Sequence, residues 1–95
     1  MNSKQMKRAR AGTLESGDVL VTIEPADALE IKLYSPVINQ FGDAIMRSVR
    51  EVVESFGVTS GTISLEDQGA LDCTIRARLA TAIRRSFEEE EGVDA

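Results

Sequence analysis

The sequence predicts an α+β fold, an antiparallel sheet of three to four strands with two helices packed on one face. Three observations carry this expectation. Apolar and polar residues alternate over 19–24 and again over 29–34, as in half-buried strands. Ile38, Phe41, Ile45, Val49, Val52 and Phe56 recur at spacings of three and four, as on the apolar stripe of a helix. Residues 70–88 contain neither Gly nor Pro and are rich in Ala, Leu and Arg, which favours a second helix.

The elements follow in chain order. Residues 1–7 show no periodic pattern and are expected to be loose, as are residues 89–95. Residues 8–13 are a candidate for an additional strand before the turn Glu15-Ser16-Gly17-Asp18. Val19, Val21 and Ile23 then face one way, and Leu20, Thr22 and Glu24 the other. Pro25-Ala26-Asp27 breaks that strand, because Pro offers no backbone donor to a ladder. Leu29, Ile31 and Leu33 alternate in a second strand, and the short connection makes an antiparallel hairpin the natural pairing. Ser35-Pro36 is a helix start and Gly57 a helix stop. A third, shorter strand is expected within 58–66. The last segment fits two periods, since Leu71, Cys73, Ile75 and Ala77 alternate while Leu71, Ile75, Leu79 and Ile83 repeat every four residues. Its length decides for a helix, on which Cys73 is expected to be buried and inert.

With 95 residues, the chain is expected to form one domain. There is no His, the commonest general base and metal ligand. The single cysteine excludes an internal disulfide and any multi-Cys zinc site, and points to a reducing, cytoplasmic setting. No metal site is expected. No run approaches the ~18 apolar residues of a membrane span, and no apolar segment follows the basic start, so no signal peptide is expected. The net charge of −5 argues against a nucleic-acid partner. Nucleotide-binding glycine motifs and a Ser/His/Asp triad are absent, so a self-sufficient catalyst is not expected.

Two stretches remain. Residues 11–19 read A-G-T-L-E-S-G-D-V, ordinary turn composition that leaves a hydroxyl at an exposed tip beside a glycine. Residues 67–79 fit D-x-G-A-L-D-C-x-x-R-A-R-L, on physical grounds a turn into a helix. Together with Q-F-G-D-A-I at 40–45, they resemble the citrate lyase acyl carrier (gamma subunit) family over 11–85, in the family's order and spacing. The basic start and the Glu-rich tail lie outside that pattern.

The resemblance implies a non-catalytic carrier whose Ser16 holds a covalent 2'-(5''-phosphoribosyl)-3'-dephospho-CoA arm through a phosphodiester, with Glu15, Gly17 and Asp18 shaping the turn. It implies as partners an alpha subunit that exchanges acetyl for citrate, a beta subunit that cleaves the citryl thioester to oxaloacetate, a prosthetic-group transferase and an acetylating ligase. Glu15 and Asp18 are either recognised by the transferase or simply turn carboxylates. Arg76 and Arg78 either contact partners or the arm's phosphates, or are solvated. The carrier subunit of malonate decarboxylase, with the same kind of arm, is one alternative. An unmodified protein-interaction domain is another. A phosphopantetheine carrier fits poorly, because its modified Ser opens a helix and Ser16 precedes a strand.

Overall fold

The computed structural model describes residues 6–88. It contains β1 (Ala9–Ala11), β2 (Val19–Glu24), β3 (Leu29–Tyr34), α1 (Ile38–Ser55), β4 (Gly61–Asp67) and α2 (Asp72–Ser86). The four strands form one sheet in the order β1-β2-β4-β3, with both helices on one of its faces. The α+β architecture is the expected one. Among the described residues no helix is long and apolar enough to cross a membrane.

The strand pairing differs from the expected hairpin. β2 and β3 do not pair, because β4 lies between them, antiparallel to β2 and parallel to β3. Residues 25–28 need only cross two strand spacings, about 10 Å, and four extended residues reach that far at ~3.3–3.6 Å each. Burial explains why β4 takes the central place. Its Ile63 and Leu65 are fully buried, whereas Leu29 of β3 is 38% exposed and Glu30 and Lys32 are exposed. A charged, half-covered strand suits an edge. The registers align Val21 with Leu65 and Ile23 with Ile63, and Ile31 with Ile63 and Leu33 with Leu65. One apolar layer results, against which Ile45, Val49, Val52 and Val53 of α1 and Ile75, Leu79, Ala82 and Ile83 of α2 close the core.

Helix α1 begins at Ile38, two residues beyond Pro36. Ser35 is not its cap residue; its hydroxyl donates to Asp67 Oδ2 (2.7 Å) and accepts from the Val37 amide (3.2 Å). Ile38 and Phe41 are expected on the buried stripe but are 41% and 55% exposed, because the buried face of α1 begins only at Gly42 and Ile45. The C-terminus closes as the spacing predicts. Gly57 has φ +70°, its amide donates to Glu54 O, and the Val58 amide donates to Val53 O, the paired bonds of a Schellman motif.

Cys73 is a second correction, for it is exposed. The buried residues of α2 are Ile75, Leu79, Ala82, Ile83 and Ser86. A position two residues before Ile75 lies about 200° around the helix from it, on the far side of that stripe. The expectation of a loose N-terminus is corrected in part: Met6 packs on the core and the Lys7 amide donates to Ser86 O at 2.8 Å. Residues 1–5 and 89–95, also expected to be loose, lie outside the described residues.

Candidate functional site: the Ser16 turn

The segment between β1 and β2 must reverse the chain, and two glycines make this possible. Gly12 has φ +93°, and a Cβ there would meet Val19 O at 1.9 Å, so no other residue fits without moving backbone. Gly17 has φ +85°, but a Cβ built on it meets nothing within 4 Å. The Asp18 amide donates to Glu15 O at 3.0 Å, closing a turn with Ser16 and Gly17 at its centre. Negative φ at Ser16 and positive φ at Gly17 give it the form of a type II turn.

Leu14, Glu15, Ser16 and Gly17 are all exposed, so polar contacts rather than packing shape the loop. Two backbone bonds fasten it to the β4–α2 connection: the Gly17 amide donates to Gln68 O (2.7 Å) and the Gln68 amide to Asp18 O (2.8 Å). Asp18 fastens the rest. Its Oδ1 accepts from the Val19 amide (2.8 Å) and Arg78 Nε (2.9 Å). Its Oδ2 accepts from Thr13 Oγ1 (2.7 Å) and Arg78 Nη2 (3.1 Å). These bonds, that from Arg78 first and then that from Thr13, hold the Asp18 carboxyl down at about 2. The Thr13 hydroxyl in turn accepts from the Glu15 amide (3.1 Å).

The Ser16 hydroxyl takes part in none of these bonds. It stands on open surface at the tip of a braced turn. An open groove lined by Lys32, Tyr34, Glu66 and Gln68 lies on the sheet side of the same end of the molecule, and Ser16 is not part of its wall. Among the described residues no cluster of three or more His, Cys, Asp or Glu side chains is placed to hold a metal ion.

The turn thus unites Glu15, Ser16, Gly17 and Asp18, as their adjacency requires, but gives the two acids different roles. Asp18 is committed internally, while Glu15 points its carboxylate to solvent. Thr13, Gln68 and Arg78 belong to the same unit, and nothing in the local sequence shows it. Arg76 lies elsewhere, bonded to Glu51 (2.6 Å) and Asp72 (2.8 Å), and these partners raise its pKa. Asp72 also accepts from Ser48 of α1, and its own pKa is lowered by Ser48 and then Arg76. That network joins α1 to α2 and does not reach the turn.

The family model described as malonate decarboxylase delta subunit (MdcD) matches residues 6–86. Among curated relatives, the citrate lyase acyl carrier protein of Treponema denticola is 50% identical over 90% of this chain and 99% of its own. That of Enterobacter sp. (strain 638) is 51% identical over 92% and 91%, and that of Haemophilus influenzae (strain PittEE) is 48% identical over 90% of each. This chain belongs to the citrate lyase acyl carrier protein family. A chain of a Pseudomonas malonate decarboxylase hetero-tetramer, solved with malonate, superposes with a TM-score of 0.76 over 90% of this chain and 91% of that one. At 24% identity the likeness is one of fold. In a citrate lyase acyl carrier protein the work is to carry an acyl group, and the chemistry of cleavage belongs to other subunits.

Proposed function

We propose that this chain is the carrier subunit of a citrate lyase, holding acetyl and citryl groups on a 2'-(5''-phosphoribosyl)-3'-dephospho-CoA arm joined by a phosphodiester to Ser16 Oγ. The observation that carries the reading is the unengaged, exposed Ser16 hydroxyl at the tip of a turn braced by Asp18, Thr13, Gln68 and Arg78. The surroundings fit such a group. The space beside Gly17 is open, no side chain shields the hydroxyl, and the one acid within the turn's own bonding, Asp18, is neutralised by Arg78 rather than facing the phosphate.

When bound, the arm supplies a thiol that holds the acyl group as a thioester. The chain itself contributes anchorage. A rigid turn fixes the root of the arm, and the tether converts each transfer between partner active sites into an effectively intramolecular encounter. Attachment requires the Ser16 hydroxyl to lose a proton as it bonds to phosphorus. The chain offers no His to accept it, so the base belongs to the transferase. The partners on this reading are the alpha and beta subunits, the transferase and an acetylating ligase, all cytoplasmic.

The carrier of malonate decarboxylase is the second reading, favoured by the matching family model and by the shared fold. Identities of about one half to citrate lyase carriers, against 24% to the malonate decarboxylase chain, favour citrate.

Tandem mass spectrometry around Ser16, on protein from its native host, tests the proposal. The mass of the arm on Ser16 is the expected result. Unmodified Ser16 in cells making active lyase would reject it and leave an unmodified interaction domain. A Ser16→Ala variant is expected to assemble with its partners and to lose lyase activity.

A further inference from the structure

We propose that Arg78 is a positioning residue for the loading of Ser16, holding the 15–18 turn, through Asp18, in the shape the attaching enzyme engages. The inference rests on Ser16 being the attachment point. Arg78 grips both oxygens of the Asp18 carboxylate, with Nε at 2.9 Å and Nη2 at 3.1 Å. Such a two-point fork fixes direction as well as distance. The same carboxylate accepts from Thr13 and from the Val19 amide, one at each end of the loop. Arg78 therefore ties the whole loop to the second turn of α2. Its stem also runs along the floor of the loop, where a Cβ on Gly12 would meet Arg78 Cδ at 3.3 Å.

The loop has few other restraints. Its tip residues are exposed and bury nothing, so removal of the Arg78 fork leaves hydrogen bonds alone: two to Gln68, the turn's own 15–18 bond, and those among Thr13, Glu15, Asp18 and Val19, of which only the two to Gln68 reach beyond the loop. The pair is partly open to water, with side-chain exposures of 43% for Arg78 and 14% for Asp18. A pair so exposed contributes little to global stability. Its effect falls instead on the fraction of molecules whose turn is in the loadable shape, and a reacting atom out of place is slow to react. In loading, Ser16 Oγ forms a bond to phosphorus as the phosphoanhydride bond of an activated form of the arm breaks. The leaving phosphate departs with the bonding electrons, and the hydroxyl proton passes to the transferase.

The test compares wild-type full-length chain with Arg78→Gln, Arg78→Lys, Arg76→Gln and Ser16→Ala. Each is incubated with the transferase and the phosphoanhydride-activated arm. Initial loading rates are read by intact mass, and hydrogen exchange is followed at residues 13–18 of the unloaded proteins. Arg78→Gln is expected to exchange faster at 13–18 and to lose roughly tenfold or more in loading kcat/KM, with its thermal midpoint close to wild type. Arg78→Lys is expected to fall between them, having charge without the fork. Arg76→Gln, which removes an arginine of similar exposure and its two ion pairs from the same helix, is expected to load as wild type.

Unchanged exchange in Arg78→Gln overturns the clamp. If loading is slow while exchange is unchanged, Arg78 touches the enzyme or the arm directly and the proposal is wrong. Loading at the wild-type rate despite faster exchange, or equal losses in Arg76→Gln, also overturns it. If Ser16→Ala gains the same mass as wild type, the Ser16 assignment has failed, and that control reports it separately from the Arg78 comparison.

Discussion

Arg78 and Asp18, sixty positions apart in the chain, meet through two hydrogen bonds at the base of the Ser16 turn. The acid beside Ser16 is therefore an internal strut. Its charge is compensated before any partner arrives, and of the turn's two acids Glu15 is the one that faces solvent.

The acid range gives one prediction. The Asp18 carboxyl is held at about 2, below its ordinary 3.8. A depressed value means that the ionised carboxylate stabilises the fold fully above the unfolded-state value, and that this contribution fades as pH falls from about 4 through about 2. Carboxyl shifts of Asp18 followed by NMR should hold a plateau at pH 4 and move near pH 2. A midpoint at or above 3.8 would contradict the clamp.

Two glycine substitutions should separate. Gly12→Ala places a methyl 1.9 Å from a backbone oxygen at φ +93°, and is expected to cost roughly 2–4 kcal/mol. Gly17→Ala meets open space at φ +85°, so only backbone strain opposes it, about 1–2 kcal/mol. Urea unfolding of the two variants checks the order.

Asp67, 2% exposed, accepts from the Ser35 hydroxyl and, at 2.9 Å, from the Ala70 amide. It joins the end of β4 to the approaches of both helices. Asp67→Ala strands two donors and is expected to lose about 2–4 kcal/mol, whereas Ser16→Ala should stay within about 0.5 kcal/mol of wild type. Thermal or urea unfolding of the pair distinguishes a structural acid from a functional hydroxyl.

Cys73 is exposed at the start of α2. In unloaded native protein, a thiol reagent should consume one equivalent without denaturant. Reaction only after unfolding would contradict the position of the helix.

The strands 19–24 and 29–34, the Schellman stop at Gly57 and the long final helix were all legible, because each rests on neighbours within a few residues. So was the Ser16 tip, since Gly17 and Asp18 mark a turn wherever they occur together before a strand. The adjacency of Ser16 to two acids left their roles open, because charge alone does not tell where a carboxylate points. The burial of Cys73 was misjudged for a related reason: alternation and four-residue repeats both pass through Leu71 and Ile75, and only the placement of the sheet shows which side of α2 is inward.

Local pattern determined which segments become strands and helices and which hydroxyl is left at a turn tip, since hydrogen-bonding period and backbone φ are set by near neighbours. Tertiary structure alone decided that β4 separates β2 from β3, that Ile38 and Phe41 stay in solvent, and that Arg78 finds Asp18. Those outcomes depend on which apolar faces bury one another, a competition among distant segments that no stretch of the chain encodes by itself.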